Sequence, residues 1–315
     1  MLDDHDADPV VPPERDSVSA LDGDPTIVSI SDIHGYLGDA REALLTLFDH
    51  PAYDPVVEPD PLRRLQWAGG DEYVLVFNGD LIDRGAHNEQ IVEMVERLIE
   101  QAPPGHVRVT FGNHEMGVLM ADRFGWQQWY SGQQSDTQRR AFAQQILDGH
   151  VVAAYEGYNV VYAHAGCADP YDVSEANDEL VAAARTLSAA IGTPDDLQTQ
   201  TDVIEEFPRV LGIDGRTGRG PGAGIAWMDF EYMPEDAPPQ VVGHTRHDEF
   251  TVRGNVICQN VIRNNRPRTG GEGVVVETPD RLVSLSRDES GDVVERDLSI
   301  SAIETHQTAS RDTVE

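Results

Sequence analysis

The chain has 315 residues and a formal net charge of −33, from 23 basic and 56 acidic residues. Every basic residue is arginine, which excludes a P-loop lysine, a Schiff-base lysine and a Ser–Lys dyad, and the acidic balance argues against nucleic acid as a dedicated partner. No run of about 18 apolar residues predicts a membrane span, and the acidic N-terminus does not resemble a signal peptide, so we expect a cytoplasmic protein.

Strand and helix patterns alternate in the first part of the chain. Residues 1–24 are acidic and contain several prolines, which predicts a disordered N-terminal tail. Beyond them, short β-branched runs predict strands, and apolar residues at helical spacing predict the helices that follow. The predicted strands are 26–30, 73–77 and 106–111, the predicted helices are 39–48, 89–101 and one beginning near 113, and residues 51–72 are predicted to be loop.

The second part of the chain has a different pattern. Residues 158–166 and 238–247 predict strands with polar ends, and residues 168–237 predict a helical and loop-like insertion that could cap a site. The clearest helix of this insertion is 178–192, ended by Gly192. The following residues predict antiparallel strands as far as 290, so we expect one domain over residues 25–290 and an acidic tail over 291–315.

The alternation of strands and helices predicts an α/β layered fold with partly parallel strands. In such folds, ligands bind at the C-terminal ends of the strands. Polar clusters follow the predicted strands at just these points, which is the first indication of a site. The clusters are Asp32 with His34; Asp80 with Asp83 and Arg84; Asn113 with His114; His164; and His244.

The side chains in these clusters suit a metal site. Carboxylates, imidazoles and amide oxygens are ligands of borderline-hard divalent metals. Two metals about 3.5–4 Å apart need a shared ligand, and a carboxylate is the natural bridge. Asp80 is the best candidate for that bridge.

Five short motifs contain these clusters: SDIHG at 31–35, GDLIDRG at 79–85, GNHE at 112–115, HAG at 164–166 and GHT at 243–245. Their order resembles that of the calcineurin-like metallophosphoesterase superfamily. GDLIDRG and GNHE resemble its phosphoprotein phosphatase branch, which includes serine/threonine phosphatases, phage-type phosphatases and diadenosine tetraphosphatases. The resemblance covers about residues 26–290 and implies a layered β-sandwich flanked by helices.

The resemblance implies two divalent metal ions held by six side chains. Mn²⁺ is the expected metal, and Fe, Zn²⁺ or Co²⁺ would suit the same oxygen and nitrogen ligands. A hydroxide bridging the two cations would attack phosphorus directly. The implied ligands are Asp32 and His34 for the first ion, Asp80 as the bridge, and Asn113, His164 and His244 for the second ion.

The resemblance also implies the remaining catalytic roles. His114 would be the general acid, Asp83 would orient it, and Arg84 would clamp the phosphate oxygens. Asn113 and His114 would join Arg84 in binding the substrate. Glu115 could support the ligands or simply favour the start of the following helix.

Two departures from the family pattern concern the phosphate pocket. Many superfamily members carry a second histidine two positions after the one that corresponds to His244, where this chain has Arg246. The phosphoprotein phosphatase branch tends to lack that histidine, so this departure supports the branch. The branch usually adds a distal arginine, for which Arg216, Arg219 and Arg246 are candidates, whereas Asp229 occupies the expected region.

The expected substrate is a phosphorylated molecule, either a phosphoprotein or a nucleotide. Hydrolysis of phosphoserine or phosphothreonine is the first hypothesis. The alternative is a nucleotide pyrophosphate such as a diadenosine polyphosphate, whose second phosphate would need the cations of residues 263–268 (RNNRPR), unless these form a solvated turn. A scaffold that keeps the fold without turnover is a third hypothesis, which the complete set of expected ligands disfavours.

The acidic residues are spread over the whole length of the chain. An acidic tail or a single acidic face would instead concentrate them. At molar salt the Debye length falls to about 3 Å, so dense surface carboxylates remain hydrated without strong mutual repulsion. We therefore expect a halophilic protein that unfolds or loses activity at low salt.

Overall fold

The computed structural model describes residues 15–300. Residues 1–14 of the predicted N-terminal tail and residues 301–315 of the predicted C-terminal tail lie outside this range. Within it, residues Val18–Ala20 form a short 3-10 helix, and the buried Arg15 contacts Asp178 at 2.9 Å. Structure therefore begins before residue 25, where the sequence predicted the start of the domain.

Strands and helices alternate through the first part of the described chain, as predicted. The strands are β1 (Thr26–Ile30), β2 (Val57–Pro59), β3 (Leu65–Trp67), β4 (Tyr73–Phe77), β5 (Val107–Thr110), β6 (Val151–Val152), β7 (Ala154–Glu156), β8 (Val161–Ala163), β9 (Gln240–Val242), β10 (Thr251–Arg253), β11 (Val256–Cys258), β12 (Gly273–Thr278), β13 (Arg281–Arg287) and β14 (Val293–Asp297). The helices are α1 (Leu37–Leu44), α2 (Thr46–Asp49), α3 (Asn88–Gln101), α4 (Asn113–Phe124), α5 (Asp136–Leu147), α6 (Val173–Ala190), α7 (Asp196–Glu206), α8 (Pro208–Leu211) and α9 (Ile262–Asn265).

Two mixed sheets form the sandwich. The larger has the order β14-β13-β12-β1-β4-β5-β6, in which β1, β4, β5 and β6 are parallel. The smaller has the order β10-β11-β9-β8-β7, in which β8, β9 and β11 are parallel. Parallel strands end at the same edge of a sheet. The turns after β1, β4 and β5 therefore lie together at one edge of the larger sheet, and the turns after β8 and β9 lie together at one edge of the smaller sheet.

Side chains alternate between the two faces of the central strands, as strand geometry requires. Val74 and Val76 of β4 pack in a cluster with Tyr162 and other residues of the smaller sheet. Leu75 and Phe77 pack in the cluster that includes the helices. Both faces of β4 are therefore buried, which explains why the sequence of this strand is apolar at every position.

The prediction of a loop over residues 51–72 was wrong. β2 and β3 pair there as an antiparallel hairpin, with Val57 opposite Trp67. Each strand has only three residues, and Val57 and Leu65 are the buried ones. A run this short among Pro and Asp residues is too brief to display an alternating pattern.

The predicted insertion over residues 168–237 contains α6, α7 and α8. α6 begins at Val173, earlier than the predicted residue 178, because Asp172 caps it by accepting a hydrogen bond from the backbone of Glu175 at 2.9 Å. Gly192 follows the end of this helix with a φ of 75°, as predicted for a helix terminator. Throughout residues 15–300, no helix is both long and apolar enough to cross a bilayer.

The larger sheet extends beyond residue 290, where the sequence predicted the end of the domain. β14 pairs with β13 in antiparallel register, and Arg281 bridges Glu295 and Asp297 at 2.8 and 3.0 Å. β14 was not predicted from the sequence, because its acidic residues resemble those of the tail that follows. β11 also differs from the prediction, since it is antiparallel to β10 but parallel to β9.

Candidate active site

The site residues predicted from sequence lie in turns at the carboxyl ends of strands from both sheets. The turns after β1, β4 and β5 come from the larger sheet, and those after β8 and β9 come from the smaller one. The backbone N–H of His244 donates to Oδ2 of Asp32 at 2.9 Å, which joins the two sheets at this edge. The structure thus brings the five predicted clusters together.

The backbone of these turns is unusual. Seven non-glycine residues within 15–300 have a positive φ, a conformation that L-residues rarely adopt. Arg63 is the only one of the seven that is not a predicted site residue. These six are Asp32, His34, Asp80, Asp83, Arg84 and His244. Strained backbone of this kind persists only where the surrounding structure enforces it, and it clusters at functional sites.

Glycine is required beside two of the predicted ligands. A Cβ atom on Gly79, whose φ is 76°, would lie 2.4 Å from Nδ1 of His164. A Cβ atom on Gly243 would lie 2.2 Å from Oδ2 of Asp32. The glycines therefore let the ligand side chains approach the neighbouring turns.

Asp80 lies at the centre of the cluster. Its Oδ2 is 3.5 Å from Nε2 of His34, and its Oδ1 is 3.4 Å from Nε2 of His164. Two groups of side chains share it, each with ligand atoms within 4.8 Å of one another: His34, Asp80 and His114, and Asp80, His164 and His244. A carboxylate shared by two donor groups is the arrangement expected for a bridging ligand.

Two predicted ligand atoms are buried without a hydrogen-bond partner among the described residues. They are Oδ1 of Asp32 and Oδ1 of Asn113. Buried polar atoms normally have partners, so an orphaned set at one point requires an explanation. Oxygen and nitrogen donors gathered around a shared carboxylate fit two divalent cations.

Backbone carbonyls fix the orientation of two imidazoles. Nδ1 of His34 lies 3.0 Å from the carbonyl oxygen of Ile82, and Nδ1 of His164 lies 3.0 Å from that of Asn78. A carbonyl can only accept, so each Nδ1 must carry a proton. The Nε2 lone pair of each ring therefore faces the site and could bind a cation when the ring is neutral.

Burial controls the protonation of the ligands. It lowers the pKa of His34 to about 3 and, with the neighbouring His164, lowers that of His244 well below its usual value. Burial also raises the pKa of Asp32 to about 7. It disfavours charge on His164 as well, but the Asp80 carboxylate outweighs this and raises the pKa of His164 to about 9. A cation would therefore have to displace a proton from His164.

Glu115 supports the turn that carries Asp80. Its Oε2 accepts from the backbone N–H of Asp80 at 2.8 Å and of Gly112 at 3.1 Å, and its Oε1 accepts from Leu81 at 2.9 Å. The sequence left open whether Glu115 supports the predicted ligands or favours the start of the following helix. It does both, because it holds the turn of Asp80 and also completes the cap of α4. Burial raises its pKa to about 7.

The predicted acid has its predicted partner. Nδ1 of His114 donates to Oδ2 of Asp83 at 2.6 Å, and both side chains are buried. Nη2 of Arg84 lies 3.1 Å from Nε2 of His114. A guanidinium can only donate, so in this arrangement Nε2 accepts and His114 is neutral.

The calcineurin-like phosphoesterase family model matches residues 25–196, more than half of the sequence. This chain belongs to the calcineurin-like phosphoesterase family. The matched segment contains β1, β4 and β5 and the motif residues that follow them.

Solved structures of phosphatases have the same fold as this phosphoesterase. The cold-active protein-tyrosine phosphatase of the psychrophile Shewanella sp. is 18% identical and has a TM-score of 0.57, with 88% of this chain and 81% of that chain covered. A second structure of a cold-active protein-tyrosine phosphatase, at 1.1 Å resolution, is also 18% identical, with a TM-score of 0.58 and 89% and 80% covered. At this identity, the likeness concerns the fold alone.

Three tryptophans of the phosphoesterase line one side of the site, and we call them the tryptophan wall (Trp126, Trp129 and Trp227). The ring of Trp126 stacks 5.2 Å from that of His114, and the ring of Trp227 lies 6.3 Å from that of His244. The guanidinium of Arg84 lies over Trp129 at 5.1 Å. This wall was not predicted from the sequence, because Trp227 is about 100 positions from Trp126 and Trp129 and the three share no motif.

The structure also distinguishes among the candidates for the distal arginine. Arg219 pairs with Asp229 at 3.1 Å, and its Nη2 lies 3.4 Å from the carbonyl oxygen of His244. Arg216 and Arg246 are exposed. Arg219 is therefore the candidate that is tied to a predicted metal ligand, and Asp229 holds it there.

The three arginines of residues 263–268 (RNNRPR) have different surroundings. Arg266 stacks over Tyr36 at 3.7 Å, and Arg268 pairs with Asp248 at 3.1 Å, as expected for a surface turn. Arg263 is different: burial lowers its pKa, and so do the nearby charges of Arg84 and Arg246. One arginine of this segment therefore adds to the positive charge near the site.

Proposed function

We propose that this chain is a phosphomonoesterase that uses two divalent metal ions, with Mn²⁺ the expected pair. The observation that carries the proposal is Asp80, shared by two groups of donors, beside a buried His114–Asp83 pair. The buried, unpartnered Oδ1 atoms of Asp32 and Asn113 support the same interpretation. The orientation of the imidazoles by Ile82 and Asn78 adds to it.

The chain's own residues would divide the remaining work. Two bound cations would activate water for attack on phosphorus and offset the charge of the phosphoryl oxygens. Arg84 is exposed and would turn from His114 towards those oxygens. Its departure frees Nε2 of His114, which in its protonated form donates a proton to the leaving oxygen as the P–O bond breaks. Asp83 stabilises the charged ring at Nδ1 throughout.

The nature of the leaving group separates the candidate substrates. The branch resemblance favours phosphoserine and phosphothreonine. The tryptophan wall favours phosphotyrosine, because Trp126 stacks on the acid itself and an aromatic leaving group would pack against such a surface. The solved structures of similar fold are protein-tyrosine phosphatases, which is consistent with this second candidate.

The nucleotide alternative rests on Arg263. Hydrolysis of a diadenosine polyphosphate needs positive charge for a second phosphate, and Arg263 lies close enough to Arg84 and Arg246 to feel their charge. Against this, Arg266 and Arg268 already pair with Asp39 and Asp248. Arg263 alone therefore supports a nucleotide substrate less strongly than the tryptophan wall supports an aryl phosphate ester.

The test compares three substrates with the Mn²⁺-loaded protein in molar salt: a phosphotyrosine peptide, the same peptide with phosphoserine, and diadenosine tetraphosphate. Trp129→Ala should reduce kcat/KM for the phosphotyrosine peptide by about fivefold more than for the phosphoserine peptide, because only the aryl leaving group loses an aromatic contact, whereas the lost cation–π contact with Arg84 affects both peptides. Arg263→Gln, the matched control, should affect only the nucleotide. A fully metallated protein without activity on any of the three would overturn the proposed function.

We also propose that the acidic surface is an adaptation to molar salt, with the charge of −33 as its basis. The same assay after dialysis into dilute buffer should show loss of activity and of the folded state. Full activity in dilute buffer would contradict this proposal and leave the phosphoesterase proposal intact.

A further inference from the structure

The segment between α4 and α5 reaches into the acid pair. Residues Ser131–Gln133 form a 3-10 turn in this segment, and the side chain of Ser131 is buried. No sequence motif points to Ser131. Its neighbours Trp126 and Trp129 belong to the tryptophan wall, so the same segment contacts both the acid and the space where a leaving group would lie.

Ser131 binds Asp83 through two donors. Its backbone N–H donates to Oδ1 of Asp83 at 2.8 Å, and its hydroxyl donates to Oδ2 at 2.8 Å. Oδ2 is also the atom that accepts from Nδ1 of His114 at 2.6 Å. The carboxylate is thus held on both oxygens, and its plane is fixed relative to the imidazole.

Two glycines let Ser131 approach the acid pair. A Cβ atom on Gly117 of α4 would lie 2.9 Å from the Ser131 hydroxyl and 2.8 Å from the ring of Trp126. A Cβ atom on Gly132 would lie 2.1 Å from the carbonyl oxygen of Trp126. The close packing of this segment on α4 therefore depends on glycine at both positions, independently of the hydrogen bonds themselves.

We propose that Ser131 is a positioning residue, which aligns the general acid His114 by holding the carboxylate of Asp83. This inference rests on the proposed function of the site. Ser131 does not touch the reacting atoms. It acts by keeping Nδ1 of His114 bonded to Asp83, so that Nε2 points at the leaving oxygen.

Such a role has a signature that a general loss of structure lacks. A general acid matters most when the leaving group is a strong base, because that oxygen cannot depart without a proton. Phenyl phosphate has a poor leaving group and p-nitrophenyl phosphate a good one. Misalignment of His114 should therefore slow the hydrolysis of phenyl phosphate and have little effect on that of p-nitrophenyl phosphate.

The experiment measures both substrates with the Mn²⁺-loaded, full-length protein in molar salt. Ser131→Ala should lower kcat for phenyl phosphate by roughly tenfold, the value of one hydrogen bond to a charged group, and change kcat for p-nitrophenyl phosphate by less than about twofold. Ser131→Thr keeps the hydroxyl and should restore the lost rate. Gly117→Ala keeps Ser131 but should displace it, because the added Cβ would lie 2.9 Å from its hydroxyl. This variant should therefore also lower kcat for phenyl phosphate and spare p-nitrophenyl phosphate. Ser135→Ala is the control, because Ser135 caps α5 and is exposed.

A second readout needs neither metal nor turnover. The Nδ1 proton of His114 should give a downfield NMR signal in the metal-free wild type, and this proton should exchange faster with water in Ser131→Ala but not in Ser135→Ala. Equal slowing of both substrates, or an unchanged Nδ1 proton, would overturn the role of Ser131. A fully metallated but inactive wild type would instead overturn the proposed function, and faster exchange of the Nδ1 proton in Ser131→Ala would then show only that Ser131 holds the Asp83–His114 pair.

Discussion

The sandwich buries carboxyl groups at both of its ends, but in different ways. At the end opposite the site, Glu277 of β12 lies opposite Ile27, near the start of β1. Its oxygens accept from the backbone of Asn159 at 2.6 Å and from the hydroxyl of Tyr162 at 2.8 Å. At the site, Oδ1 of Asp32 is buried with no partner within the described chain.

The pKa values alone do not distinguish these two ends. Burial raises the pKa of Glu277 to about 7 and that of Glu115, beside Asp80, to about 7 as well. The difference lies in the surroundings: Glu277 has ordinary backbone and complete hydrogen bonding, whereas the site combines orphaned atoms with positive φ at Asp32 and Asp80. Buried acids are structural when satisfied, and they indicate a binding site when their neighbours are left unsatisfied and strained.

The largest effect should follow from the bridging carboxylate. Asp80→Asn should reduce turnover by at least about 10⁴-fold, because the two proposed cations would lose their shared ligand. The measurements are metal content by mass spectrometry and kcat for p-nitrophenyl phosphate. The control, Asp71→Asn, changes an exposed acid in the loop before β4 and should leave both unchanged.

Removal of the Asp80 carboxylate should also weaken the metal-free fold. The carboxylate accepts from the backbone N–H of His114 at 2.9 Å, and it outweighs the effect of burial to raise the pKa of His164, whose Nε2 lies 3.4 Å away, to about 9. This charge interaction is lost in Asp80→Asn, so the melting temperature of the metal-free variant should fall below that of the wild type at neutral pH. An unchanged or higher melting temperature would mean that this end of the sandwich, opposite Glu277, is destabilising in the absence of metal.

A somewhat smaller effect should follow from the acid. His114→Asn should lower kcat by about 10²- to 10⁴-fold for a phosphoserine peptide, which needs general acid catalysis, while two metals remain bound. His87→Asn, at an exposed position before α3, is the matched control. Loss of a metal ion in His114→Asn would contradict the role of acid and assign His114 as a ligand, which its place in a group with His34 and Asp80 also permits.

The sequence was sufficient to predict which turns come together at the site, for a physical reason. Each proposed ligand lies within a few residues of the glycine and strand that position it, as Gly79 and β4 do for Asp80. Local chemistry of this kind is visible in a short motif. The strands that bear these turns were predicted for the same reason, since β4 is apolar throughout and four of the five residues of β1 are β-branched.

The rest of the site depends on contacts between distant segments. Ser131 reaches Asp83 across 48 positions, and Trp227 meets Trp126 only through the folding of the insertion. Neither contact leaves a periodic pattern in the chain. The β2–β3 hairpin and β14 were missed for another reason, because three to five residues with mixed polarity resemble loop.

The smallest effect on activity should come from Glu277, at the end opposite the site. Its pKa is about 7 in the folded protein against an ordinary 4.5, so the folded state retains the proton that the unfolded state releases between these values. Stability is therefore unaffected below about pH 4.5, falls as the pH rises towards 7, and remains reduced above it. Glu277→Gln resembles the protonated acid, because an amide can donate to Tyr162 and accept from Asn159.

Urea unfolding in molar salt at pH 5 and pH 8 checks this prediction. Glu277→Gln should match the wild type at pH 5 and exceed it at pH 8, by up to about 3 kcal/mol for a shift of this size. Turnover should stay within about twofold of the wild type at both pH values. Glu72→Gln, an exposed residue just before β4, should show no such difference. A gain in stability that is equal at both pH values would mean that packing, rather than the buried charge, distinguishes this end of the sandwich from the site.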